Sequence, residues 1–276
     1  MKMNLYHYTD QNGFMGIISN RTLWATKIQY LNDSNEYYLA TKIASKIIGE
    51  RLISEKDPDI IFIYEEYLNR TQLISNMNLC VCSLTEQGDL LSQWRGYSKK
   101  MGGYSIGFDF EGIKSIANTN GFELVKCIYD ESIQYEKVEL IINNSLDLFG
   151  EHVKNALNSK SSDYFEEQLV KLAPALKDRS FSEEAEWRLV STVNTMSLSF
   201  RAGNSMIIPY KSLSLGGKHE LKSILKEVIV GHTPNIELAK QATQFFLVNA
   251  LLSDNDFPIR HYPFNVSGSS VPYRNW

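Results

Sequence analysis

Several short stretches of the chain alternate between apolar and polar positions and so predict β-strands. Residues 5–9 and 104–110 alternate with a period of two, which is typical of a strand with one buried face. Residues 79–84 form an unbroken apolar and β-prone run, which predicts a buried central strand. Further strands are predicted over residues 22–25, 124–130, 186–191, 196–200, 205–209, 226–231 and 257–262.

Apolar residues at helical spacing predict helices between these strands. Phe14, Ile17 and Ile18 predict a short helix over residues 11–20. The other helices are predicted over residues 35–51, 58–73, 90–95, 134–177 and 235–252. Because strands and helices do not alternate strictly, the pattern favours an α+β fold. We expect a single α+β domain over residues 1–276, with helical insertions near residues 35–75 and 134–177.

The composition is that of an ordinary soluble protein, with 43% hydrophobic and 22% charged residues. A net charge of −4 excludes strong attraction of the whole molecule to nucleic acid but leaves a local basic groove open. The three cysteines are odd in number, so we expect buried thiols in a reducing cytoplasm rather than disulfides. No apolar run approaches the roughly 20 residues of a membrane helix, and the first residues lack an apolar signal core. These features predict a cytoplasmic protein with no membrane partner, and they do not indicate an oligomeric state.

Glu184, Glu186 and Arg188 form the most informative stretch of charge. On a continuous strand these alternate residues project to the same side. Two carboxylates held within about 7 Å do not ionise independently, and such pairs often serve a function. The alternative is a solvated strand face on which Arg188 neutralises one carboxylate.

Two pairs of polar residues on predicted strands are further candidates. His7 and Thr9 share one face of the first strand, where a histidine can hold the hydroxyls of a ribose. The alternative is a core histidine bonded to the backbone. Ser83 and Thr85 end the apolar central strand, where polar groups either face a cleft or cap a turn.

The segment around Arg95 combines an arginine with aromatic residues. Arg95 could bind a phosphate through two hydrogen bonds, and Trp94 or Tyr97 could stack on a planar ring. The alternative is core packing with a surface arginine. The chain lacks the glycine-rich phosphate loops, the zinc motif and the serine-hydrolase elbow, and its five histidines are too dispersed to suggest a metal centre.

Several of these segments together resemble a bacterial family catalogued as a domain of unknown function. The family is typified by a Tyr-His-Tyr-Thr start, a Leu-Asn-Asp turn and a Glu-x-Glu-[Trp/Tyr]-Arg strand. The matching segments follow one another over residues 5–9, 22–26, 31–33 with Glu36, 82–85, 94–97, 103–108 and 184–188. The ordered set spans nearly the whole chain.

The first strand, the short helix after it and the Leu-Trp-Ala-Thr segment are also similar to the start of ADP-ribosyltransferase-fold proteins. This resemblance implies a split antiparallel β core with helical insertions. In that superfamily a first-strand histidine or arginine, a middle-strand hydroxyl or aromatic residue and a late-strand glutamate bind NAD. His7, Ser83 or Tyr97, and Glu186 preceded by Glu184 fall in this order.

The resemblance implies roles for these residues. Cleavage of the bond between nicotinamide and ribose passes through an oxocarbenium-like cation. Glu186 would stabilise that charge through the ribose 2′-hydroxyl, and Glu184 would orient or deprotonate the acceptor. NAD would be bound, without a metal, by His7, Tyr8, Thr9, Ser83, Trp94, Arg95, Tyr97 and Arg188.

The leading hypothesis is an NAD-dependent ADP-ribosyltransferase or NAD glycohydrolase, a toxin-like or phage-defence effector with an unidentified protein or nucleic-acid acceptor. One alternative is a non-catalytic nucleotide-binding sensor of the same fold. The other is a metal-dependent nuclease in which Asp109, Glu184 and Glu186 bind Mg²⁺ or Mn²⁺.

Overall fold

One large β-sheet flanked by helices accounts for most of the described chain. The computed structural model describes residues 3–31, 38–74, 78–98, 102–152, 158–203, 205–252 and 263–272. The strands are β1 (Asn4–Thr9), β2 (Thr22–Lys27), β3 (Leu79–Thr85), β4 (Tyr104–Asp109), β5 (Glu123–Lys126), β6 (Glu186–Thr192), β7 (Ser199–Ala202), β8 (Ile207–Ser214), β9 (Leu225–Val230) and β10 (Asn265–Gly268). The helices are α1 (Gln11–Asn20), α2 (Leu39–Leu52), α3 (Pro58–Ile74), α4 (Leu91–Tyr97), α5 (Phe110–Thr119), α6 (Glu131–His152), α7 (Asn158–Leu172), α8 (Lys218–Ile224) and α9 (Ile236–Leu251). Short 3₁₀ helices cover Ile28–Tyr30, Ala173–Ala175, Arg179–Glu184 and Thr195–Ser197.

The sheet splits along one edge of its central strand, β3. On one side β3 pairs with β6 over its whole length. On the other side it pairs with β2 at one end, where Thr26 lies opposite Val81, and with β1 at the other end, where Tyr6 lies opposite Thr85. β1 and β2 therefore diverge along the same edge of β3 and leave an opening between them.

Each branch of the split continues as a wing of the sheet. One wing runs through β2, β8 and β7, and the other through β1, β4, β9 and β10. Pairing is antiparallel between the described strands except for β9 and β10. Helix α1 connects the two branches; the Asp10 carboxylate caps its start and Arg21, at φ 53°, ends it in the left-handed region.

The central strand contributes to two hydrophobic cores because its side chains alternate between the faces of the sheet. Leu79 and Val81 pack with α2, α3, α6 and α7, whereas Cys80, Cys82 and Leu84 pack with α1, α5, α8 and α9. Both faces of β3 are therefore covered, as its unbroken apolar run predicts. All three cysteines are buried, and none of them forms a disulfide.

The structure confirms a mixed α+β architecture and corrects several predicted elements. Helices α5 and α8 and strand β10 were not predicted. The predicted helix over 134–177 is divided into α6 and α7, and the predicted strand over 124–130 ends at Lys126. Helix α4 extends to Tyr97, two residues past the predicted end of this helix at residue 95. Asn32 and Asp33 of the predicted Leu-Asn-Asp turn, Glu36 and the predicted strand at 257–262 lie outside the described residues.

No helix within the described ranges combines the length and the apolar character that a bilayer crossing requires.

Candidate functional site

A cleft of about 900 Å³ opens where the sheet splits. Its walls come from both branches, from the middle of β3, from α1 and the end of α4, and from β6, β7 and β8. Its volume lies within the range of about 300 to 1,000 Å³ that is typical of small-molecule sites. Tyr8, Thr9, Ser83 and most of the other predicted site residues border this cleft.

The carboxylate of Glu186 is fixed at the cleft by two cations. The Arg188 guanidinium donates from Nε to Oε1 at 3.0 Å and from Nη2 to Oε2 at 3.1 Å. The Lys177 ammonium donates to Oε2 at 2.6 Å, and the Cys127 thiol approaches the same oxygen at 3.8 Å. Among the described residues Oε1 accepts from Arg188 Nε alone, so this oxygen retains a lone pair for a ligand hydroxyl.

These contacts keep Glu186 ionised although only 4% of the residue is exposed. Burial by itself would raise the pKa of the carboxyl group, but the charges and hydrogen bonds of Arg188 and Lys177 outweigh it. The pKa of Glu186 is lowered to about 2. Glu186 is therefore a permanent anion at neutral pH and not a general acid.

Glu184 reaches the same cluster by a route that differs from the predicted one. The prediction that Glu184 lies on one strand with Glu186 is wrong, because Glu184 ends a 3₁₀ helix and β6 begins at Glu186. Ala185 between them adopts φ 41° and ψ 50°, a left-handed conformation that is uncommon for a residue with a Cβ. Lys177 Nζ donates to Glu184 Oε2 at 2.5 Å and so bridges the two carboxylates.

The turn that presents Glu184 is held by hydrogen bonds to the end of β3 and to Tyr129. The Thr85 hydroxyl donates to the Glu184 carbonyl at 2.5 Å, and the Glu86 N–H donates to the Ala185 carbonyl at 3.2 Å. The Glu186 N–H donates to the Tyr129 hydroxyl at 2.8 Å. The strained backbone at Ala185 is thus fixed on both sides, which is common where strain serves a site.

His7 lies at the split itself. Its Nδ1 donates to the Ser83 carbonyl at 3.0 Å, an acceptor that a neighbouring strand would otherwise satisfy. Burial lowers the pKa of His7, so the ring is neutral at physiological pH. With its proton on Nδ1, the ring leaves Nε2 as an acceptor for a hydroxyl donor.

Tyr97 forms part of the wall near the carboxylates. The residue is 44% exposed and lines the cleft at the end of α4. Burial of the hydroxyl and then the charges of Glu186 and Glu184 raise the pKa of Tyr97 to about 12. The hydroxyl therefore remains protonated and can donate a hydrogen bond.

Tyr8 also borders the cleft but serves mainly to brace its wall. Its hydroxyl donates to the Gln87 carbonyl at 2.8 Å and accepts from the Leu90 N–H at 2.9 Å. Its ring packs edge-on against Trp94 with centroids 4.7 Å apart. These contacts hold the loop that leads into α4.

The predictions for Trp94 and Arg95 are not supported. Trp94 is 3% exposed, its indole N–H donates to Asp89 at 2.7 Å, and it lies in the core instead of the cleft wall. Arg95 is exposed and does not border the cleft. Arg188, the other predicted phosphate ligand, donates to Glu186 and to the Pro174 carbonyl.

The predicted meeting of Asp109 with the two glutamates is wrong. Asp109 accepts a hydrogen bond from the Gly112 N–H and caps α5, away from the cleft residues. In the part of the chain that the structure describes, no group of three or more His, Cys, Asp or Glu side chains is placed to hold a metal ion. The geometry gives no support to the nuclease alternative.

Two cations of the site, Lys177 and Arg201, were missed by sequence reasoning. Lys177 is 4% exposed, and its backbone carbonyl accepts from Gln134 Nε2 at 2.8 Å, which ties the backbone of the lysine to helix α6. Arg201 lines the far part of the cleft from β7. Neither residue belongs to a motif, and their proximity to the other site residues depends on tertiary folding.

The family comparison covers the carboxylate part of this site. A family model described as "Protein of unknown function (DUF2971)" matches residues 93–189. The matched segment contains Tyr97, Lys177, Glu184, Glu186 and Arg188, and it supports the predicted resemblance to a family of unknown function. The chain matches no curated protein and no solved structure.

Proposed function

We propose that the cleft binds NAD and cleaves the bond between nicotinamide and ribose, with ADP-ribose passing to an acceptor or to water. The observation that carries this proposal is the ionised Glu186 carboxylate, which faces the cleft with one oxygen able to accept a further hydrogen bond. A fixed anion stabilises the positive charge that develops on a ribosyl cation.

The placement of the other groups supports an arrangement like that of the ADP-ribosyltransferase fold. His7 on β1, Ser83 on β3 and Glu186 on β6 converge on an opening in a split sheet. A neutral His7 can accept from a ribose hydroxyl, and Tyr97 can donate to the ligand. These are the residues to which the sequence resemblance assigns NAD binding.

The proposed step balances without an added reactant other than the acceptor. The bond between the anomeric carbon and the nicotinamide nitrogen breaks, and its electron pair neutralises the pyridinium. Glu186 Oε1 accepts from the 2′-hydroxyl while the cation forms. The acceptor oxygen or nitrogen then bonds to the anomeric carbon, and Glu184, the more exposed carboxylate of the cluster, takes its proton.

The experiment that tests this is nicotinamide release from NAD, measured by chromatography for the wild type and for matched variants. Glu186→Gln preserves the size of the side chain and should lower the rate by at least about 100-fold. Glu183→Gln is the control, because Glu183 is exposed and does not border the cleft. Glu186→Asp, which keeps the charge, should retain the fold and recover only part of the rate. Equal rates in the wild type and in a folded Glu186→Gln variant would overturn the proposal.

A nucleotide-binding sensor is the second candidate, and one observation favours it. Both oxygens of Glu186 already accept hydrogen bonds from cations, so the cluster of two carboxylates and two cations is formally neutral. A carboxylate that the protein already neutralises is compatible with a cleft that binds a nucleotide and does not cleave it. Binding of NAD by calorimetry with no nicotinamide released over hours would favour the sensor.

A further inference from the structure

The cleft has a second charged region, formed by Trp24 and Thr26 on β2 and Arg201 on β7. The Arg201 guanidinium donates from Nη2 to the Thr26 hydroxyl at 3.0 Å and lies over the Trp24 ring, 5.8 Å from its centroid. Two different contacts thus orient one guanidinium toward the cleft. We call these three residues the Arg201 site.

Arg201 differs from the other cleft cations in its charge balance. Lys177 and Arg188 are each paired with a carboxylate at 3.0 Å or less. Among the residues that the structure describes, no carboxylate forms an ion pair with Arg201, and its Nε is buried without a hydrogen-bond partner. A buried donor of this kind normally has a hydrogen-bond partner, so a ligand acceptor beside Arg201 would supply the missing hydrogen bond.

Trp24 supplies a surface for a planar ring beside that charge. Its side chain borders the cleft and is 46% exposed, and its ring contacts the Tyr210 ring at a centroid distance of 4.6 Å and an interplanar angle of 34°. An exposed indole next to a cation suits a base carrying a phosphate, since bases stack on aromatic rings and arginine binds phosphate through paired hydrogen bonds.

The Arg201 site lies at a useful distance from Glu186. Thr26 is opposite Val81, Val81 is opposite Val190, and Glu186 is four residues along β6 from Val190. With about 4.8 Å between strands and about 3.4 Å per residue, the Cα atoms of Thr26 and Glu186 are about 17 Å apart. After both side chains extend into the cleft, this gap suits a ribose and a diphosphate.

We propose that the Arg201 site binds the adenylate half of a dinucleotide, with Arg201 on the diphosphate and Trp24 against the adenine. This inference rests on the proposed function for the choice of NAD. The binding step itself requires no cleavage. In this proposal Arg201 takes the phosphate-binding role that the sequence suggested for Arg95 or Arg188.

Calorimetric binding of ADP-ribose, AMP and adenosine tests the proposal. Arg201→Gln should weaken ADP-ribose and AMP at least about tenfold and leave adenosine nearly unchanged, because only the first two carry phosphate. Trp24→Ala should weaken all three ligands. Arg95→Gln is the matched control and should bind like the wild type.

The outcomes separate this inference from the proposed activity. Wild-type affinity of Arg201→Gln for ADP-ribose, or failure of the wild type to bind ADP-ribose, would overturn the Arg201 site. Nicotinamide release with an unchanged KM for NAD in Arg201→Gln would contradict the Arg201 site but not the proposed cleavage. Arg201-dependent binding of ADP-ribose without nicotinamide release from NAD would support the Arg201 site and contradict the proposed cleavage.

Discussion

The charged side chains at the two ends of the cleft are balanced in opposite ways. At one end Glu184 and Glu186 are matched by Lys177 and Arg188, whose side chains are almost fully buried. At the other end Arg201 is held by a hydroxyl and an aromatic ring, with no carboxylate among its described contacts. Charges that the protein neutralises itself stabilise the fold, whereas a charge left for a ligand stabilises the complex.

The largest effect that this comparison predicts is the loss of Lys177. Lys177→Met leaves two carboxylates close together with one cation, and removing one partner of a buried ion pair typically costs about 3 to 5 kcal/mol. Urea unfolding of the variant measures this cost. Lys171→Met is the control: Lys171 forms a solvent-exposed pair with Glu167, so its loss should leave the unfolding free energy nearly unchanged. Similar costs for the two variants would contradict the description of the Lys177 cluster.

The next effect is the acid sensitivity that Glu186 imparts. The folded-state pKa of Glu186 is about 2, below its ordinary value of 4.5, so the group stabilises the fold above pH 4.5. That stabilisation, about 3 kcal/mol, is lost as the pH falls from 4.5 towards 2. Unfolding free energies measured across this range should fall more steeply for the wild type than for Glu186→Gln. Parallel curves would mean that Glu186 is not held by its two cations.

A smaller effect on stability, but a large one on binding, is expected at Gly16. This residue of α1 borders the cleft, and a Cβ at its position would meet nothing within 4 Å. Gly16→Ala should stabilise the helix by about 0.5 to 1 kcal/mol and preserve ligand binding. Gly16→Trp should instead place an indole in the cleft and abolish ADP-ribose binding in calorimetry.

Gly49→Trp provides the control for that prediction. Gly49 lies within α2, a Cβ there also meets nothing within 4 Å, and the residue does not border the cleft. The Gly49→Trp variant should bind ADP-ribose like the wild type. Undiminished binding by Gly16→Trp would place the ligand outside this cleft.

The smallest effect on stability is expected at the Arg201 end. Arg201→Gln removes a charge without breaking an ion pair, so the unfolding free energy should change by no more than about 0.5 kcal/mol. The same variant should lose affinity for ADP-ribose. A destabilisation as large as that of Lys177→Met would show that Arg201 is a structural cation like Lys177.

Local pattern predicted the elements well but could not predict how they meet. The apolar run of β3 and the alternation of β1 were sufficient to identify both strands, because burial of their faces is encoded residue by residue. The split depends on which residues of β3 pair with β1 and which with β2, a long-range register that no local signal specifies.

The same distinction applies to the candidate site. Glu186 and Arg188 share a strand and meet as their spacing predicts. Glu184 reaches the cluster only because Ala185 turns the chain back, and a period-two argument cannot anticipate a left-handed residue. Lys177 and Arg201 come from segments with no chemical motif, so tertiary folding alone brings them to the cleft.

The most direct test of the account is a crystal structure with a non-hydrolysable NAD analogue in which a methylene replaces the ring oxygen of the nicotinamide ribose. We expect the 2′-hydroxyl about 2.7 Å from Glu186 Oε1 and a phosphate oxygen about 2.8 Å from the Arg201 guanidinium. A ligand bound outside the cleft, or one whose nicotinamide ribose lies away from Glu186, would contradict it.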